Sequence, residues 1–95
     1  MFLAQAGLAA VLVTASGCGR RATSDDCRLI VNKSYELGML ETTGSDMPTV
    51  QKREAEVRAE LDDKITACES RRVTEKTMAC VRAATTTGEI DKCLR

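Results

Sequence analysis

Five cysteines, at positions 18, 27, 68, 80 and 93, are the residues of this chain most able to do chemistry, and they stand in a sequence without histidine. A thiol can attack a carbonyl, hold zinc, cycle through a redox couple, or close a structural disulfide. Spacing separates these roles. Structural zinc sites take ligands in close pairs, about two to four residues apart. The last four cysteines are separated by 40, 11 and 12 residues. A thioredoxin-type redox motif needs two cysteines with two residues between them, and none is present. General acid–base catalysis most often uses histidine. Ser34, Ser45 and Ser70 lack the context of a nucleophile elbow. The acidic pairs Asp25-Asp26 and Asp62-Asp63 read as a helix start and a solvated helix face. The expectation is therefore no enzyme, no cofactor, no metal and no catalytic residue, with Cys27, Cys68, Cys80 and Cys93 as structural half-cystines.

Cys18 is different. It closes a stretch, Met1 to Gly17, that contains no charged side chain, and all 14 basic and 14 acidic residues follow it. Phe2 to Val13 holds ten apolar residues in twelve. That matches a secretory signal, whose apolar region runs to about 7–15 residues before small residues at the cleavage site. It is shorter than the roughly 20 apolar residues of a spanning helix.

Ser16, Gly17 and Cys18 resemble the lipobox of bacterial lipoprotein precursors, in which the cysteine becomes the acylated mature N-terminus. Ala15 stands where that family usually has leucine, and residues 2–17 contain no Lys or Arg. The resemblance implies lipidation at Cys18. With Gly19 rather than aspartate after the cysteine, it also implies an outer-membrane destination. The alternative is an ordinary signal cleaved after Gly17, with small residues at Ala15 and Gly17. An odd number of cysteines in an exported chain leaves one thiol over. Lipid on Cys18 leaves four that can pair.

From Cys18 onward the chain has equal numbers of acids and bases. This gives no electrostatic reason to expect a nucleic-acid partner or contact with an anionic membrane face. It is one domain at most, and so small a core needs staples. Tyr35 is the one aromatic residue left after the signal. Residues 18–26 are polar and without hydrophobic periodicity, and they read as a flexible tether. Arg20-Arg21 within it is read as solvated linker in preference to a contact with phospholipid headgroups.

The body, 27–95, reads as all-α: a small disulfide-stapled bundle of three to four helices after the cleaved signal helix. Helix one starts near Ser24 or Asp25, and Cys27, Ile30, Val31, Ser34, Leu37 and Gly38 share a face. It ends at Gly38 or in the loop Thr42–Asp46, and Pro48 suits a first helical turn. The second helix, about Thr49–Ser70, carries the stripe Val50, Val57, Leu61, Ile65 and Cys68. Glu54, Glu56, Arg58, Glu60, Asp62, Asp63 and Lys64 lie on its charged faces. Glu54–Arg58 and Glu60–Lys64 have favourable i,i+4 spacing. The third helix, about Thr74–Ala84, points Val73, Thr77, Cys80, Val81 and Ala84 inward. Thr86 and Glu89 have capping-box spacing before a short last helix with Ile90, Cys93 and Leu94. No segment alternates with period two, so no sheet is expected. Arg71-Arg72 suits a helix C-terminus.

Every body cysteine falls on the apolar side of its helix, as helix-to-helix staples require. Three pairings are possible. Antiparallel neighbours favour Cys27–Cys80 with Cys68–Cys93. The functional expectation is a non-catalytic structural or protein-interaction module. It is held on the periplasmic side of the outer membrane through lipid on Cys18, monomeric, and engaged with an envelope protein. The alternative is an exported binding or inhibitory factor of the immunity type, soluble if Cys18 is not lipidated.

Overall fold

The computed structural model describes residues 19–95, so Cys18 and the signal segment 1–17 lie outside the described residues. The chain from there is mostly helical. Its elements are β1 (Arg20–Arg21), α1 (Ser24–Thr43), α2 (Met47–Glu56), α3 (Arg58–Cys68), β2 (Arg72–Val73), α4 (Glu75–Ala83) and α5 (Thr87–Cys93).

Side-chain oxygens set most of the helix starts. Thr23 caps α1: its Oγ1 accepts from the Asp26 N–H, and the Asp26 carboxylate accepts from the Thr23 N–H, a complete capping box. The cap thus lies one residue before Ser24 and two before Asp25, the two expected starts. Gly44, at φ +68°, ends α1 and donates its N–H to the Leu40 carbonyl. A left-handed residue there satisfies a carbonyl that the helix leaves open, and glycine takes it at little cost. Gly38 instead lies inside the helix. Pro48 occupies the first turn of α2, as expected. The single helix expected over Thr49–Ser70 is two, broken where Val57 leaves helical geometry at φ −103°, ψ 21°. Thr74 and Thr86 cap α4 and α5 by accepting from Thr77 N–H and Glu89 N–H. The Glu89 carboxylate, however, accepts from Thr85 N–H and Oγ1 instead of closing the box on Thr86.

α1 is the spine. After the turn at Gly44, α2 and α3 run back along it, which brings Cys68 level with Cys27. The two form a disulfide with Cα atoms 5.7 Å apart. α4 and α5 make a second, smaller hairpin closed by Cys80–Cys93, with Cα atoms 5.6 Å apart. The expected pairing of Cys27 with Cys80 and Cys68 with Cys93 is therefore corrected. The return path through α2–α3 puts the end of α3 beside the start of α1. The short α4–α5 connection leaves Cys80 and Cys93 nearest to each other. Cys27 is fully buried, but Cys80 is exposed, so the second staple sits at the edge of the core.

Ala22, Cys27, Ile30, Ile65, Val73, Met78, Val81, Ala84 and Ile90 form one buried cluster, with Leu29, Leu37 and Leu94 packed against it. Polar contacts at helix ends fix the hairpins to the spine. Lys33 Nζ donates to the Val81 and Arg82 carbonyls at the end of α4, at 2.9 and 2.5 Å. Glu41 accepts from Thr87 N–H and Oγ1 at the start of α5, at 2.8 and 2.6 Å. Each places a charge where the helix dipole favours it, and the two Thr87 donors hold the Glu41 carboxyl below its ordinary pKa.

The expected absence of strands is also corrected. β1 and β2 pair antiparallel, with Arg20 opposite Val73 and Arg21 opposite Arg72. A ladder two residues long has no room for an alternating pattern, so no periodicity announces it.

Candidate functional site

Three places gather side chains beyond what the core needs: the β1–β2 platform, a buried carboxyl cluster, and a shallow apolar cleft.

The platform begins at Gly19, the residue after Cys18. Gly19 has φ +73°, and a Cβ placed on it would lie 2.8 Å from the Val73 carbonyl oxygen. Only glycine fits both the dihedral and the approach. Ala22 N–H donates to the Arg71 carbonyl at 2.9 Å, and the Ala22 side chain is buried in the main cluster. Residues 19–26, expected as a flexible tether, are thus docked on the body. Arg20 and Arg21 contribute to the docking through their side chains. The Arg20 guanidinium bridges two carboxylates, donating to Asp26 and, at 2.7 and 3.0 Å, to Glu75 on α4. This arrangement joins β1, the first turn of α1 and the first turn of α4. Arg20, with the Thr23 N–H beside it, holds the Asp26 carboxyl down to a pKa of about 2. The same two acids, Asp26 first, push Arg20 above its already high value.

Arg21, Arg71 and Arg72 are exposed on the same platform. Arg21 Nε donates to the Glu69 carbonyl at 3.2 Å, and Arg71 Nη2 to the Leu94 carbonyl at 3.0 Å, which ties the C-terminal segment down. Among the described residues these three arginines make no ion pair with a carboxylate.

The second place is Glu54. It was expected on a charged, solvated face; the structure buries it to 8% exposure, and its Oε2 has no hydrogen-bond partner. Burial and the neighbouring Glu36 carboxyl on α1 raise its pKa, while Arg58 opposes them. Arg58 stands 4.0 Å away and also donates to Asn32 Oδ1 at 3.3 Å. The signal for burial was present in the spacing. Val50, Glu54, Val57, Leu61, Ile65 and Cys68 follow one another at three- and four-residue steps, so Glu54 lies on the apolar stripe.

The third place is a cleft of about 330 Å³ between α1 and α3, lined by Ile30, Val31, Ser34, Tyr35, Leu61 and Lys64. Its walls are apolar apart from a few hydroxyl and amine groups at the rim. It suits an apolar side chain better than a charged substrate.

The remaining sequence-based candidates settle as follows. All four body cysteines are consumed in the two disulfides. Asp26 is a capping and pairing residue, while Asp62 contacts Arg58 at 3.8 Å on a solvated face. The Glu60–Lys64 ion pair does not form, whereas Glu54–Arg58 does. Among the described residues no group of three His, Cys, Asp or Glu side chains is placed to hold a metal ion. No helix among them is long and apolar enough to cross a membrane. Comparison with protein-family models, with curated proteins and with solved structures finds no match for this chain.

Proposed function

We propose that this chain is an exported, membrane-anchored envelope lipoprotein whose helical body is a non-catalytic interaction module. The observation that carries the reading is the use of the cysteines. Two disulfides consume Cys27, Cys68, Cys80 and Cys93, which leaves Cys18 as the odd thiol. Structural disulfides persist in oxidising compartments, which favours export. The apolar stretch ending in Ser16-Gly17-Cys18 supplies the route, and a lipidated Cys18 accounts for the remaining sulfur. Two or more acyl chains give stable anchoring where one is marginal. Gly19 after the cysteine favours the outer membrane.

Intact mass spectrometry of the protein recovered from membranes, with and without reduction, tests this. The expected mass lacks residues 1–17, carries diacylglycerol and an acyl group at Cys18, and contains two disulfides. An unacylated N-terminus at Cys18 in the soluble fraction overturns the anchor. It would favour the alternative of a soluble inhibitory factor, for which the apolar cleft over Ile30, Tyr35 and Leu61 is the natural contact. Reduced Cys27 and Cys68 in freshly isolated protein would remove the case for export.

A further inference from the structure

We propose that the β1–β2 platform is a docking surface for anionic phospholipid headgroups, seating the body on the membrane in one orientation. This rests on the anchored reading above and adds a contact and a direction to it. Three observations carry it.

The first is where the undescribed chain ends. Residues 1–18 join the fold at Gly19. Gly19 is not slack: its φ of +73° and its closeness to the Val73 carbonyl fix the direction of the chain there. Whatever holds Cys18 in a bilayer therefore holds the start of β1 two residues from the attachment point.

The second is charge. Residues 19–22 and 70–74, the two segments that build the platform, contain four arginines and no acidic residue, in a chain whose formal charge is zero. Arg20 faces two carboxylates, Asp26 and Glu75, which together exceed its charge by one. Arg21, Arg71 and Arg72 keep their charge exposed, and Glu69, half-buried at the platform edge, is the nearest acid in sequence to Arg71.

The third is register. Arg21 and Arg72 are paired across the two strands. Like charges directly opposite in an antiparallel pair destabilise it. The pairing gains an anion to bridge it when phosphates lie against that surface, and guanidinium groups bind phosphate well.

A solvated linker would place these arginines at random distances from the bilayer. The observed platform presents Arg21 and Arg72 together, with Arg21 three residues after the anchor. A basic residue near an anionic surface gains about 1 kcal/mol, equivalent to roughly fivefold.

The test uses the full processed chain purified from membranes and reconstituted into two kinds of vesicle: phosphatidylcholine alone, and phosphatidylcholine with phosphatidylglycerol. An arginine-selective dicarbonyl reagent is applied and each site is read by peptide mass spectrometry. Labelling of Arg21 and Arg72 is expected to slow about fivefold or more in the anionic vesicles and to recover at high salt, because the contact is screened. Arg53 and Arg82, exposed on α2 and α4, serve as references and are expected to label equally in both. If the chain floats with both vesicles while Arg21 and Arg72 label at the same rate in each, the headgroup contact is overturned and the anchor stands. If the chain floats with neither, the anchor fails and the contact fails with it.

Discussion

The two ends of α1 are held by different physics. At its start, Cys27 is cross-linked to Cys68, Thr23 and Asp26 cap the first turn, and Arg20 ties that turn to α4. At its far end α1 meets α2 through the buried Val50 and the buried carboxyl of Glu54, with no cross-link on α2. Residues 31–40 are all half-buried. One end is fixed covalently and by charge. The other is held by the Glu41 hydrogen bonds to Thr87 and by packing that includes an incompletely satisfied polar group. The cross-linked end of α1 is the one nearer to Cys18 in sequence.

The largest effect should come from the sulfur bridges. Cys27–Cys68 spans 41 residues and Cys80–Cys93 spans 13. In the loop-entropy picture these contribute about 4 and about 3 kcal/mol respectively. Replacing Cys27 and Cys68 together with serine should therefore cost more than replacing Cys80 and Cys93. Burial widens the difference, because Cys27 is fully buried and Cys80 is exposed. Urea unfolding of both double variants measures this. Equal losses would erase the contrast between the two staples.

How much of this was legible in the sequence follows from the range of each interaction. The helical stretches, Pro48 in the first turn of α2, and the cap at Thr86 rest on local chemistry within four residues. Disulfide pairing does not. It depends on which helices fold back side by side, and helix periodicity carries no information about that order. The docking of residues 19–26 was hidden for a related reason. Arg20 gains its partners from Asp26, six residues on, and from Glu75, 55 residues on. Polar composition alone cannot distinguish an arginine held by two acids from one in solvent. Glu54 is the opposite case, because its place on the stripe was visible in the spacing and its charge argued against reading it as buried.

Gly19 offers a sharper probe of the fixed end. Alanine there would have to adopt φ +73° with its Cβ 2.8 Å from the Val73 carbonyl oxygen. Strain of this kind costs about 1–3 kcal/mol, and β1 should detach before the helices unfold. Hydrogen exchange at the Ala22 amide, which donates to Arg71, is the readout. Acceleration there with unchanged protection in α3 is expected. Unchanged exchange at Ala22 would mean that the platform tolerates slack.

Acid should act on the two ends in opposite senses. The Asp26 pKa is depressed from 3.8 to about 2 by Arg20 and the Thr23 amide. Its contribution is complete above the unfolded value and is lost as pH falls from about 4 through about 2. Asp26→Asn should remove that acid-sensitive component and cost about 1 kcal/mol at neutral pH, the scale of a partly exposed ion pair, because the amide oxygen can still accept from Thr23 N–H but the charged contact with Arg20 is lost. Denaturation midpoints measured across the acid range should show a shallower fall for the variant than for the parent.

Glu54 carries the smallest and most discriminating effect. Its pKa is raised by burial and by Glu36, against the pull of Arg58. A group that holds its proton more tightly when folded gives its full stability below its unfolded pKa and loses it as pH rises through the folded value. At neutral pH the buried, incompletely bonded carboxylate therefore weighs against folding. Glu54→Gln removes the charge at similar volume and should stabilise the protein by roughly 0.5–1 kcal/mol there, a modest fraction of the cost of an unsatisfied buried polar group. The gain should vanish below the ordinary glutamate range, where the parent is protonated as well. Glu36→Gln should produce part of the same gain, because it removes the neighbouring charge but leaves the burial. A loss of stability in Glu54→Gln at neutral pH would show that the attraction of Arg58 outweighs burial, making the far end of α1 ion-paired in the same way as the near one.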